Sequence, residues 1–224
     1  MKAKIIMLSA LGAASFGLTQ AASASCATDT DSVWECAQYQ NGSTSYNNGP
    51  TGVWFGPSGD DTTEFTFSGT STLNYGSIEA TCTLSLDGQM LYDDVGNGIG
   101  VKVVSGSVVG GGLCSSIGVS GFPWYASDTT TFNTSSRFSG ANSADIYPNN
   151  SDYAEGNVGN ITVTLFGSPI CTGYMPDVRF RNNSADGQPV SEPSRFIFNN
   201  TIAGTSCGVS GELTSQNLYD VNVW

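Results

Sequence analysis

The sequence predicts an all-β protein of antiparallel, sandwich-like sheets, braced by disulfides and preceded by a cleaved signal peptide. Three observations carry that expectation. Ile78, Ala80, Cys82, Leu84 and Leu86 alternate with Glu79, Thr81, Thr83 and Ser85, the period-two pattern of a strand with one buried and one wetted face. Six cysteines, an even number, follow an export-type N-terminus. No segment beyond that N-terminus sustains a helical period.

The export signal is read from Lys2 and Lys4, the apolar run from Ile5 to Leu18, and Ala22-Ser23-Ala24 as small residues before a cut after Ala24. Its short two-lysine head is of bacterial type. The apolar run is too short to cross a bilayer comfortably, and no later stretch reaches the needed length, so the chain is expected not to span a membrane. Ser23 stands where a lipoprotein signal would want a large aliphatic residue before Cys26. Cleavage would leave 200 of the 224 residues. It would also leave five cations, Lys102, Arg137, Arg179, Arg181 and Arg195, against nineteen acids, shifting the net charge from −12 to −14. Such a surface repels phosphate backbones, and no nucleic-acid partner is expected. A secreted, extracellular location follows, with the bacterial periplasm or cell surface as alternatives.

The elements follow in order. Residues 25–62 read as an irregular, disulfide-closed N-terminal segment with one or two short strands, and residues 63–224 as the β domain. Glu64 to Ser68 opens the regular part, Asn74-Tyr75-Gly76 is a turn, and Ile78 to Leu86 is the organising strand. Asp87-Gly88 reads as a hairpin turn, with Gln89 to Tyr92 returning. Val101 to Val104 lies in a strand, Gly110-Gly111-Gly112 permits a bulge or close backbone approach, and Ile117 to Val119 is a short strand. Thr130 to Phe138 is expected as a strand and Asn142 to Asn157 as a long exposed loop. Strands return at Asn160 to Phe166, Asp177 to Arg181, Arg195 to Phe198 and Asn217 to Trp224.

A strand, a cysteine, a long excursion, a second cysteine and Gly-Val-Ser-Gly occur twice. The first copy holds Cys82, Cys114 and Gly118–Gly121; the second holds Cys171, Cys207 and Gly208–Gly211. Residues 63–125 and 159–224 therefore read as two similar halves around a loop-rich insertion, 126–158. Spacing favours Cys82 with Cys114, Cys171 with Cys207, and Cys26 with Cys36 as a local loop. Zinc is disfavoured by the absence of histidine and of closely spaced cysteines.

Catalytic chemistry is mostly missing. Without histidine a Ser-His-Asp triad cannot be built. Gly118-Val119-Ser120-Gly121-Phe122 resembles a nucleophile elbow, but Phe122 stands where glycine is needed, so both Gly-Val-Ser-Gly runs read as strand-end turns. Asp60-Asp61 and Asp93-Asp94 read as solvated loop charge, although paired carboxylates could in principle cleave glycosides. No cofactor is expected beyond structural calcium, for which Asp29, Asp31, Asp60, Asp61, Asp93 and Asp94 offer oxygens without EF-hand spacing. Trp54, Trp124, Tyr125, Tyr147 and Tyr153 are the candidate surface-contact aromatics, with burial in the core as their bland alternative.

The run FSGTSTLNYGSIEATCTLSLDGQ, with Cys82-Thr83-Leu84-Ser85-Leu86 inside it, and the later VVGGGLC carrying Cys114 resemble the secreted bacterial family called protein activator of alkane oxidation (PraB-like). The similarity covers Phe65 to Gly121 and carries no catalytic motif. It implies an exported, non-enzymatic protein that promotes growth on long-chain alkanes by emulsifying, or by coating and adhering to surfaces. Its partners would be hydrophobic, cell-surface or biofilm-matrix interfaces, with self-association as a further expectation. Two alternatives stay open at this point: an extracellular-matrix adhesin or fibre subunit, and a carbohydrate-binding module or hydrolase.

Overall fold

The computed structural model describes residues 37–42, 44–47, 50, 52–93, 98–138, 153–182, 193–216 and 220–223. The signal segment, Asp29, Asp31, Asp94, Cys26, Cys36 and Tyr147 lie outside them.

Three short strands come first: β1 (Ala37–Asn41), β2 (Thr44–Asn47) and β3 (Trp54–Phe55). A long meander follows through β4 (Phe65–Tyr75), β5 (Ile78–Asp93), β6 (Gly98–Val109), β7 (Ile117–Ser120), β8 (Trp124–Ser127), β9 (Ala154–Leu165), β10 (Ser168–Arg181), β11 (Arg195–Thr201) and β12 (Gly208–Ser215), before β13 (Val221–Val223). All pairings are antiparallel, and β10 pairs with both β9 and β11 while β12 pairs with β4. The sheet thus closes on itself. Because β7 and β8 lie end to end along β9, they count as one broken strand, and the closed ring has eight strands in up-and-down order. The expected all-β, antiparallel, disulfide-braced class holds. The two layers anticipated as a sandwich are joined edge to edge as a barrel, which leaves no free edges where it closes.

Inward rows explain why these segments are strands. Phe65, Phe67, Ser71 and Leu73 of β4 are buried, and each faces an inward residue of β5, as in Phe67 opposite Leu86 and Ser71 opposite Cys82. The outer row is polar and cross-linked by hydroxyls: Ser68 to Ser85 at 2.6 Å, Thr72 to Thr81 at 2.9 Å and Thr162 to Thr172 at 3.2 Å. An apolar interior with a hydroxyl-rich exterior reverses the distribution of a membrane-spanning barrel. Among the described residues no helix is long and apolar enough to cross a membrane.

Several local expectations are corrected. Asp87-Gly88 is not a turn, for β5 runs straight through it over 16 residues. Here Asp87 accepts hydrogen bonds from Thr66 Oγ1 at 2.7 Å and Ser105 Oγ at 2.8 Å, tying three strands together. Gly88 sits at a register shift, where a Cβ would lie 2.8 Å from the Lys102 carbonyl oxygen. Thr130 to Phe138 is turns with a single isolated bridge, Ile99–Phe138, and Phe132 packs over Gly159 of β9 and against Tyr174 of β10. Instead β9 begins at Ala154, inside the segment expected as loop. Its alternation switches face at Asn160, which has φ +67° opposite an irregularity in β10, and that break hides the strand from a period-two reading. The Gly-Val-Ser-Gly runs are strands rather than turns. Gly118 to Ser120 pairs with β9 and Gly208 to Gly211 with β4, so each run lies along the opening strand of the other half's hairpin.

The barrel ends differ. At one end lie the β4–β5 and β9–β10 turns and both described disulfides. Cys82–Cys114 has Cα atoms 5.6 Å apart and folds a short 3-10 turn, Gly112–Ser116, against β5; Cys171–Cys207, with Cα atoms 6.2 Å apart, pins the β11–β12 connection to β10. Two bridges of this kind belong to an oxidising compartment. At the other end the small β13-β1-β2 sheet docks. Tyr39 of β1 stacks on Tyr46 and meets Phe55 and Phe65, while Asp220 accepts hydrogen bonds from the Ser194 N–H at 2.9 Å and from the Ser194 and Ser215 hydroxyls at 2.5 Å each.

Candidate functional site

The uncharged end of the barrel is built from four connections: residues 75–78, 109–117, 165–170 and 201–208. None contains Asp, Glu, Lys or Arg, and exposed Glu79 follows directly on the first of them. Here Phe166 is 71% exposed, Val109 54% and Leu113 39%, three of the five large hydrophobic residues exposed among the described residues. Phe166 and Gly167 form the two-residue tip between β9 and β10, with φ +51° and +76°. That left-handed pair matches the twist of the flanking strands, but its first position ordinarily takes Asn, Asp or Gly. A phenylalanine there is backbone-strained and presents its ring to water. The Phe166 N–H donates to the Ser116 carbonyl at 2.7 Å, which holds the tip against the 3-10 turn bearing Leu113.

The opposite end is charged, with both signs present: Lys102 lies there, and Arg181 of β10 stands opposite Arg195 of β11. Asp60, Asp61 and Glu64 are exposed there. Asp60 Oδ1 accepts from the Thr62 N–H at 3.0 Å and the Thr62 hydroxyl at 2.5 Å, which lowers its pKa below the ordinary carboxylate value. Burial lowers the pKa of nearby Lys102, against the opposing pull of Asp61 and Glu64. Among the described residues no group of three or more Cys, Asp or Glu stands close enough to hold a metal ion.

The contact aromatics expected from sequence are mostly elsewhere. Trp124 and Tyr125 are buried, with Trp124 Nε1 donating to the Ser120 carbonyl at 3.0 Å and its ring stacked 4.4 Å from Phe122. Trp124 is thus a core residue facing the barrel interior, while Tyr125, its neighbour on the opposite face of β8, is buried against Trp54 at 6.0 Å between ring centres. Trp54 lies half-buried over Gly100 with Lys102 Nζ 4.8 Å from its ring, and Arg179 covers Tyr153 at 4.4 Å while pairing with Glu155 at 2.6 Å. None of these four sits at the uncharged end. The ring that does is Phe166, which the sequence reading missed. Its signal is an aromatic directly before glycine between two alternating runs, a place normally held by a small polar residue.

Inside the barrel lies a cavity of about 120 Å³ whose wall is entirely apolar. Gln89 borders it, but its amide nitrogen turns away to the Asp61 and Thr63 carbonyls at 2.9 and 3.2 Å.

With this geometry established, comparison with known families is decisive. Residues 53–223, the whole barrel and its docked C-terminal strand, match the description "Alkane oxidation protein activator PraA/PraB-like". The chain belongs to that family. No curated protein and no solved structure matches the chain. For this PraA/PraB-like protein the match covers both described disulfides, the uncharged end and the cavity. It extends well beyond the Phe65 to Gly121 stretch that carried the resemblance in the sequence.

Proposed function

We propose that this protein is a secreted, non-enzymatic, surface-active protein that promotes the oxidation of long-chain alkanes by adsorbing to the oil–water boundary. The observation that carries the reading is the separation of the two ends. One end has no charge in any of its connections and exposes Phe166, Val109 and Leu113; the other carries exposed Asp60, Asp61 and Glu64. A body with that polarity lowers its free energy at an oil surface, because apolar area leaves water while the carboxylates stay hydrated. The disulfides hold the apolar connections in place during adsorption, when loosely held loops would spread and the barrel would unfold. The family description supports the alkane context.

The test is the tension of a hexadecane–water interface. The oxidised protein is expected to lower it, and the triple variant Phe166→Ser, Val109→Ser, Leu113→Ser is expected to lose most of that effect while unfolding at an unchanged urea concentration. Equal activity of the two proteins would refute the assignment of the contact end.

A further inference from the structure

We infer that Arg181 and Arg195 form a binding site for one small, free phosphate group, either inorganic phosphate or a soluble phosphomonoester. The two arginines stand directly opposite each other on β10 and β11. Phe180 and Phe196, their neighbours in sequence, pack together on the inner side, so both guanidinium side chains belong to the outer face. Side chains paired in this way have Cβ atoms about 5 Å apart, and like charges so placed repel. Arg195 is half-buried, and among the described residues it has no hydrogen-bond or ion-pair partner. A cation partly withdrawn from water without an acceptor costs free energy, and a bound anion would offset both that cost and the repulsion. Since Nε of Arg195 is enclosed, the anion would meet its terminal Nη nitrogens.

Among the described residues the positions beside the pair are not acidic. The Tyr153 ring lies 5.7 Å from the Arg181 guanidinium, and Arg195 faces Thr214 of β12, whose hydroxyl donates to the Ser68 carbonyl at 3.3 Å. The nearby carboxylates have other places. Glu155 stands opposite Arg179 and pairs with it at 2.6 Å, Glu212 stands opposite Ile197, and Asp220 Oδ1 is buried on the Ser194 and Ser215 hydroxyls.

Charge and range select the ligand. Guanidinium forks match the geometry of an oxyanion, and two of them balance a phosphate dianion where one carboxylate would leave a positive charge over. At physiological ionic strength a charge is felt over about 8 Å. A small phosphate at the pair therefore responds mainly to the two arginines. A polyanion or a phospholipid surface would also meet the rest of a chain whose net charge is −12, and would be repelled. The occupant is thus a small soluble phosphate rather than a nucleic acid or a membrane.

The experiment titrates oxidised protein with sodium phosphate at about pH 8, where the anion is mostly doubly charged, and follows the heat of binding. Sodium acetate and sodium chloride at equal ionic strength are the comparisons. Phosphate is expected to bind one-to-one and to raise the urea midpoint above that in either comparison salt, as a ligand of the native state does. Arg195→Gln and Arg181→Gln are each expected to weaken binding about tenfold or more. Arg195→Lys keeps the charge without the fork and should bind between Gln and wild type. The contact-end triple variant should bind phosphate as wild type does, so this site and the oil-surface reading can fail separately. Vesicles containing phosphatidic acid should not retain the protein. Without phosphate, Arg195→Gln should gain stability relative to wild type as NaCl is lowered from about 1 M, because the repulsion it removes is then unscreened. A relative loss at low salt would mean that an acid of the chain already meets Arg195, and would overturn the site. So would phosphate acting no better than acetate or chloride, undiminished binding in a folded Gln variant, or capture by phosphatidic acid vesicles without binding of free phosphate.

Discussion

The backbone N–H of Phe166 donates to the carbonyl of Ser116 at 2.7 Å, and this bond joins the tip of one hairpin to the turn held by Cys114. Two segments distant in sequence thereby share one uncharged surface. The ring of Phe166 is left in water on a backbone conformation that suits asparagine better.

Phe166→Asn should therefore separate stability from adsorption. Relief of the left-handed backbone is expected to raise unfolding free energy by about 1 kcal/mol, and the exposed ring takes no core packing with it. Interfacial activity should fall. Urea unfolding alongside tension measurements checks both, and a destabilised Asn variant would contradict the strain argument.

Each described disulfide closes a long loop, with sequence separations of 32 and 36. Replacing Cys82 and Cys114 together by alanine is expected to cost about 4 kcal/mol on the chain-entropy account, and replacing Cys171 and Cys207 about the same. The midpoint of urea unfolding under oxidising conditions reports it. The loss should vanish when wild type and variant are compared after full reduction.

Asp220 gathers Ser194, just before β11, and Ser215, the last residue of β12, and its own carbonyl accepts from the Gln40 N–H at 2.9 Å. Asp220→Ala removes the acceptor and leaves buried donors unpaired, so a loss of about 3 kcal/mol is expected. Hydrogen exchange should quicken first in β1 and β13. Uniform quickening throughout the barrel would mean that the small sheet is not tied at this point.

Burial raises the pKa of Tyr39 above its ordinary 10.0, with further contributions from Tyr46 and Asp60. The folded state then keeps its phenol proton at pH values where the unfolded chain has released it. Stability from this group is complete below the unfolded value and declines as pH rises through the folded one. Urea midpoints measured from about pH 8 to about pH 11 should fall, and Tyr39→Phe should flatten the fall. An identical decline in that variant would assign the effect to other groups.

Much of this was readable from the residues. Alternation around Cys82, paired cysteine spacing and the twofold Gly-Val-Ser-Gly run made a disulfide-braced antiparallel β protein legible, because burial of one face imposes period two on any strand. The charge-free connections are also plain in the sequence, though nothing there says that they meet. The contact surface was not legible: Trp124 and Tyr125 lie in sequence that looks like loop, yet β8 turns Trp124 into the barrel and leaves Tyr125 on the outer face, buried against Trp54.

What the chain alone determined was local: which segments extend, which face is apolar, and which sulfurs lie at bridging distance along the chain. Closure of β10 onto β9 and of β12 onto β4 was settled only in three dimensions. Strand pairing beyond a hairpin depends on twist and register accumulated around the whole sheet, and those are properties of no single segment. The cavity and the gathering of Phe166, Val109 and Leu113 at one end both follow from that closure.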